Sequence, residues 1–401
     1  VEDMYRWLNL RGEVGQSETR PTNLNAPANY PDSATNGKMF IFVHGYNVDE
    51  RQSRAWMAEG FKRMWQSGSR AMFTAVSWHG DYSQIANTVA PDYWDNITRA
   101  FKTAQHLAPV INGLPGSSKV IVGHSMGNVV VSSAIADWNM NVAQYFMLNA
   151  AVPLEAYDTA ALSVASMRPN YWSQIDQRLW STHWHDLFPS GDQRRKLTWF
   201  DRFIDVAGRT TAINYYSSQE DILNNNPIAG QLPPLGGEFA WVTQEMTKGT
   251  RELPSLLTFD IQGGWAVDLS WYEEVPTSEG IIRVPRDVAY YNAITNDQAK
   301  VAPLFTHFQN EQLMDATNGS ATAADYVVRA DALGGAIPAL SFPAGRNQIP
   351  ALGTTRNVNI ALLRDGWART DPRWRHSDAK NAAYYFNYKL WDNWVLTGDL
   401  K

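Results

Sequence analysis

Cysteine is absent from this chain of 401 residues, which excludes disulfides, thiolate metal sites and a cysteine nucleophile. Charge is sparse as well. Charged residues make up 18% and sum to a net -6, so there is no basic surplus to neutralise phosphates and nucleic acid is not an expected partner. No apolar run approaches the roughly eighteen residues of a membrane helix, and the N-terminal stretch is polar where a signal peptide would be apolar. The expectation is a soluble chain with no membrane span. It starts at Val1, which is compatible with a removed leader or upstream region, so export stays open and the compartment unassigned. Internal repeats and low-complexity tracts are lacking too.

What the chain does have is apolar side chain for a sizeable core: 44% hydrophobic residues, 17 of them tryptophan. Its length allows one large α/β domain with insertions, or two domains. Residues 1–37 are rich in Asn, Pro, Thr and Gly without sustained periodicity, and read as a surface arm. Over 38–149 three units follow one another. Lys38 to Val43, Ala71 to Trp78, Lys119 to Gly123 and Ala143 to Leu148 read as buried strands. Arg51 to Gln66, Trp94 to Val110 with its end near Pro109, and Met126 to Trp138 read as the helices between them. Strands alternating with helices imply right-handed crossovers and a doubly wound, mainly parallel sheet. Its crevice lies at the carboxyl ends of the strands.

Residues 150–210, with Trp172, Trp180, Trp184 and Trp199, are too long for an ordinary connection and read as a cap insertion. Residues 211–223 return to the sheet with Ala212 to Ser217. Residues 224–371 mix Pro, Gly, Asn and helical pieces such as Pro285 to Thr295, and read as a long insertion, a lid or a subdomain. Residues 372–401 end the chain with an amphipathic helix from Ala379 to Trp394.

The string Lys119 to Asn128 carries the most chemical information: a buried strand runs into Gly123-His124-Ser125-Met126-Gly127 and then a helix. A serine on so tight a turn needs small flanking residues, and the strain presents its hydroxyl to the crevice. His44-Gly45-Tyr46 closes the first clear strand. The N–H of Tyr46 there, with that of Met126 after the serine, would form an oxyanion hole. A serine hydroxyl needs a base, and of the eight histidines His376, in the loop leading into the last helix, is the best candidate, with His307 as its substitute. The acid should follow a strand between serine and histidine. Asp221 fits after Ala212 to Ser217, with Glu220 and Asp158 as rivals.

These residues together resemble the esterase and lipase branch of the α/β-hydrolase superfamily, over roughly residues 38–222 and 372–396. The resemblance implies an α/β-hydrolase fold, a covalent acyl-enzyme and hydrolysis of carboxylic esters, with neither metal nor organic cofactor. The substrate it implies is a small or lipid-like ester. The roughly 150 residues between Asp221 and His376 depart from the simple family pattern. An interfacial lipase or polyesterase, an amidase, and a non-catalytic binding protein on the same scaffold are the alternatives. Of the remaining signals, His183-Trp184-His185-Asp186 has metal-binding side chains without a clear third ligand, and reads better as aromatic surface. Arg194-Arg195-Lys196 reads as a solvated face. Acyl and alcohol preference and oligomeric state are not legible.

Overall fold

The computed structural model describes residues 2–14, 23–26, 30, 33–81, 93–160, 185, 189–192, 199–218, 223, 272–277, 280–285, 344–363 and 376–401. Eight strands form one sheet: β1 (Tyr5–Asn9), β2 (Asn23–Asn25), β3 (Met39–Val43), β4 (Met72–Ser77), β5 (Lys119–His124), β6 (Gln144–Leu148), β7 (Thr211–Tyr216) and β10 (Asn357–Asn359), in the order β2-β1-β4-β3-β5-β6-β7-β10. Every neighbouring pair is parallel except β1 and β2. A separate antiparallel pair, β8 (Tyr272–Thr277) and β9 (Gly280–Pro285), lies within the expected long insertion. It shows that this stretch includes a hairpin.

The central strands are buried on both faces, so their apolar residues run without a break while their neighbours alternate. Phe40, Phe42, Val120, Val122, Phe146 and Leu148 share one face with Trp56, Trp391 and Trp394. Ile41, Val43, Ile121, Tyr145 and Met147 share the other with Ile97, Phe101, Val129 and Val130. Among the described residues four helices cover these faces, α2 (Glu50–Gln66), α3 (Tyr93–Gly113), α4 (Gly127–Ala136) and α7 (Tyr384–Thr397), with the short α1 (Arg11–Val14), α5 (Val206–Arg209) and α6 (Asp378–Asn381) beside them. α2 starts on a capping box, Asp49 accepting from Gln52 N–H while the Gln52 side chain accepts from Asp49 N–H. Among the described residues no helix is long and apolar enough to cross a membrane.

Several boundaries differ from the expectation. The arm is not all surface: β1 inserts between β4 and β2, with Trp7, Leu8 and Leu10 buried. The cap does not begin at 150 or run to 210. Leu154, Ala156, Trp199 and Phe203 belong to the core, and Trp199 packs on Phe101. The long insertion does not extend to 371, because Asn357–Asn359 adds β10 to the main sheet. α3 runs through Pro109 to Gly113. Pro109 and Gln105, the residue whose carbonyl it leaves unbonded, are both exposed, so water replaces the lost bond. The terminal helix is two helices, parted at Ala382-Ala383.

Candidate active site

From β3 the chain crosses to β4 on one side, then returns to β5 on the other, so the winding reverses between β3 and β5. A crevice opens at such a reversal, beyond the carboxyl ends of the strands. Registered pairs Val43 with Gly123 and His124 with Leu148 bring the ends of β3, β5 and β6 to one rim. Ser125 and the His44–Tyr46 loop flank that point.

Ser125 has φ 54°, the left-handed region that side chains avoid. Four hydrogen bonds hold it there. Its N–H donates to Leu148 O at 3.0 Å, and its carbonyl accepts from Asn128 N at 3.1 Å, Asn128 Nδ2 at 2.9 Å and Ala151 N at 3.2 Å. Asn128 is fixed in turn, donating also to Leu148 O at 3.2 Å and accepting from Tyr145 Oη at 2.7 Å. The turn needs glycine on both sides. A Cβ at 127 would stand 2.5 Å from His44 O, and one at 123 would stand 2.9 Å from Asn128 Oδ1.

The loop after β3 is pressed against this turn: a Cβ on Gly45 would lie 2.7 Å from Ser125 Cβ and 3.2 Å from His124 Nδ1. His44 locks the loop to the one after β4. Its Nδ1–H donates to Gly45 O at 2.8 Å, its Nε2 accepts from Trp78 N at 3.1 Å, and Trp78 Nε1 donates to His44 O at 2.7 Å. One neutral tautomer satisfies both ring bonds, and burial pushes the ring's pKa down to about 3. From α1, just after β1, Arg11 reaches the same loops. It donates to Val48 O at 3.3 Å and Trp78 O at 2.9 Å and pairs with Asp81.

No family model matches the chain, and no curated protein is significantly similar to it. An uncharacterized protein from Bacillus cereus ATCC 10987, solved at 2.75 Å, is 20% identical with a TM-score of 0.22, covering 32% of this chain and 38% of that chain. A likeness that small carries no argument, so the reading rests on the site itself.

His376 arrives at the rim from the far end of the chain. Its ring centroid lies 4.9 Å from that of His124, and its carbonyl accepts from His124 Nε2 at 2.9 Å and Asn149 Nδ2 at 3.2 Å. The loop that carries it is tied down behind. Arg63 of α2 donates to Ala379 O at 2.7 Å and Lys380 O at 3.2 Å, and Asn387 of α7 donates to Asp378 O at 3.0 Å. Ser125, Met126, the Gly45-Tyr46 loop and His376 thus gather at one rim. Asp221, Glu220 and His307 lie outside the described residues. On either side of Asp221, Ser217 N–H donates to Gly345 O at 3.0 Å and Leu223 is buried beside Gly345, which is itself pressed against Asn149 and Ala150. Asp158 is engaged elsewhere, accepting from Ala160 N at 2.9 Å and Ala351 N at 2.6 Å. His185 stacks on Phe200 with centroids 3.7 Å apart, as an aromatic surface would, and its neighbours His183 and Asp186 are outside the described residues.

Motif reasoning missed Asn128, Asn149 and Arg63. Asn149 directly follows the buried strand β6, and a polar residue in that position is the signal that would have found it, whereas Asn128 is the second residue of α4 and carries no such signal.

Proposed function

We propose that the protein is a serine hydrolase of the α/β-hydrolase type that cleaves carboxylic esters. The observation that carries this reading is Ser125 itself, held at φ 54° by four hydrogen bonds on the strand-to-helix turn at the sheet's reversal point. Strain held this firmly is a feature of functional sites. Ser125 Oγ attacks the ester carbonyl carbon while the imidazole of His376 takes its proton. The oxyanion formed is held by the N–H groups of Met126 and Tyr46, which need no reorganisation as charge develops. Collapse breaks the bond to the alcohol, which leaves with the proton from His376, and water then repeats the sequence to release the acid. Asp221 is assigned to orient the imidazole, supported by the packing of its neighbours Ser217 and Leu223 around Gly345.

The test is hydrolysis of p-nitrophenyl esters from acetate to palmitate by the parent and Ser125→Ala, with a fluorophosphonate probe mapped by peptide mass. Expected is turnover by the parent, its loss on substitution by about 10⁴-fold or more, and label on Ser125. Turnover unchanged in Ser125→Ala, or no label on Ser125, overturns the reading. A preference for long, emulsified esters would make the enzyme an interfacial lipase.

A further inference from the structure

The weakest point of such a site is its base. Ser125 stands on a turn fixed by the sheet, whereas His376 sits on a turn before a four-residue helix. A base displaced by 1 Å can cost around a hundredfold in rate, so something must set its distance from the nucleophile.

We propose that His124 and Asn149 are positioning residues that clamp the backbone carbonyl of His376, registering the base against the nucleophile. This rests on the ester-hydrolase reading above. Both donors converge on one oxygen, at 2.9 and 3.2 Å, and both are buried, His124 to 5% exposure and Asn149 to 0%. Each is anchored to the rigid sheet, one as the last residue of β5, the other directly after β6. His124 is also covalently next to Ser125, so the path from nucleophile to base is one peptide bond and one hydrogen bond.

The surroundings of each donor fix its direction. His124 is packed between the ring of Trp56, at 5.4 Å, the ring of His376, and the bare backbone of Gly45. A carbonyl only accepts, so Nε2 carries the proton. Burial, together with positive charge on His376 and Lys380, lowers the affinity of the ring for a second proton. The imidazolium formed on His376 during turnover therefore faces a neutral neighbour. Asn149 has φ 41°, with its N–H on Tyr215 O at 3.0 Å. Its Oδ1 is buried with no hydrogen-bond partner among the described residues, so the Nδ2 contact with His376 is the one directional bond its side chain makes.

The experiment uses the full chain carrying His124→Phe, His124→Gln, Asn149→Gly or the His124→Phe, Asn149→Gly pair, assayed on the ester that the parent turns over best. Phenylalanine keeps the ring and removes the donor. Glutamine places an amide N–H three bonds from Cβ, as histidine does, and glycine at 149 tolerates the positive φ. Expected is a fall in kcat of roughly 10- to 100-fold for His124→Phe, with KM changed by less than about threefold. His124→Gln should recover most of the loss, and the double variant should fall below either single one. Fluorophosphonate labelling of Ser125 should slow in the same order. Unchanged kcat in both His124→Phe and Asn149→Gly, or His124→Gln no better than His124→Phe, overturns the clamp. Should His124→Phe not fold, the parent, His124→Gln and Asn149→Gly decide it, with unchanged kcat in Asn149→Gly as the overturning result. A parent that neither turns over esters nor labels at Ser125 removes the hydrolase reading and the clamp with it. An active parent with unaffected variants removes the clamp alone.

Discussion

At Ser125 the backbone and the hydroxyl make opposite demands. A left-handed φ costs a residue with a Cβ about 1–2 kcal/mol relative to glycine, yet glycine has no hydroxyl to offer. Ser125→Ala keeps the strain and loses the hydroxyl, while Ser125→Gly loses both. Ser125→Gly should therefore unfold at higher urea than Ser125→Ala, by about 1 kcal/mol after glycine's extra chain entropy is subtracted. Equal midpoints would mean that the turn is not strained. Much of this was legible beforehand, because Gly123, Ser125 and Gly127 can be read from spacing alone and the sheet puts them where strand and helix patterns predicted. The residues that hold the turn and the His376 loop were not legible. Asn128 acts through Ser125 O, Leu148 O and Tyr145 Oη, while Asn149 and His124 reach the carbonyl of His376 far along the chain, and such contacts leave no periodic trace.

At the level of elements, strength of pattern decided what could be read. Phe40 to Val43 and Val120 to Val122 are continuous apolar runs buried on both faces, and they stood out. β1 offers only Trp7, Leu8 and the adjoining Leu10 among polar neighbours, too short a signal to separate from an arm. β10 is Asn-Val-Asn, and asparagine chemistry attaches it. Asn357 accepts from Ile349 N at 2.8 Å and donates to Ile349 O at 2.9 Å and Gly353 O at 2.7 Å. The unforeseen β1 also matters to the site, since Arg11 just beyond it braces the loops after β3 and β4 through Val48 O, Trp78 O and Asp81. Both partners are largely buried, with side-chain exposures of 3% and 18%. Arg11→Met would take the guanidinium from two carbonyls and from Asp81, which keeps His79 at 3.2 Å, a loss at the lower end of the range of about 3–5 kcal/mol for a buried pair broken on one side. Urea unfolding checks the figure. Under the proposed mechanism ester turnover should drop further than the folded fraction does, because the loop after β3 loses its brace. A variant with parental stability would show that the N-terminal segment is dispensable.

Across the whole molecule, the rim is assembled around two histidines that must stay neutral. His44 joins the loops after β3 and β4, and His124 joins the elbow to the His376 loop. Burial lowers both pKa values, that of His44 to about 3. In the unfolded chain each ring takes up a proton near pH 6.5. Between that value and the folded pKa the unfolded state binds more protons, so stability rises with pH across the interval. The contribution is fully present above about pH 6.5 and is lost as pH falls toward 3, with a slope of up to about 1.4 kcal/mol per pH unit for each ring. Asp81 and Glu59, whose pKa values are lowered by the charges of Arg11, Arg63 and Lys62 and, for Asp81, by a hydrogen bond with His79, act in the same direction but only at lower pH. Urea midpoints should thus be flat from pH 8 to 7 and fall steadily from pH 6.5 to 5, before those carboxylates titrate. His44→Gln, which has no ring to protonate, should start lower and show a shallower slope over the same window. Midpoints that stay level to pH 5 would mean that the rim accepts protonated histidines. Under the proposed mechanism, any acid loss of activity would then lie in the turnover of the folded protein and not in the fraction folded.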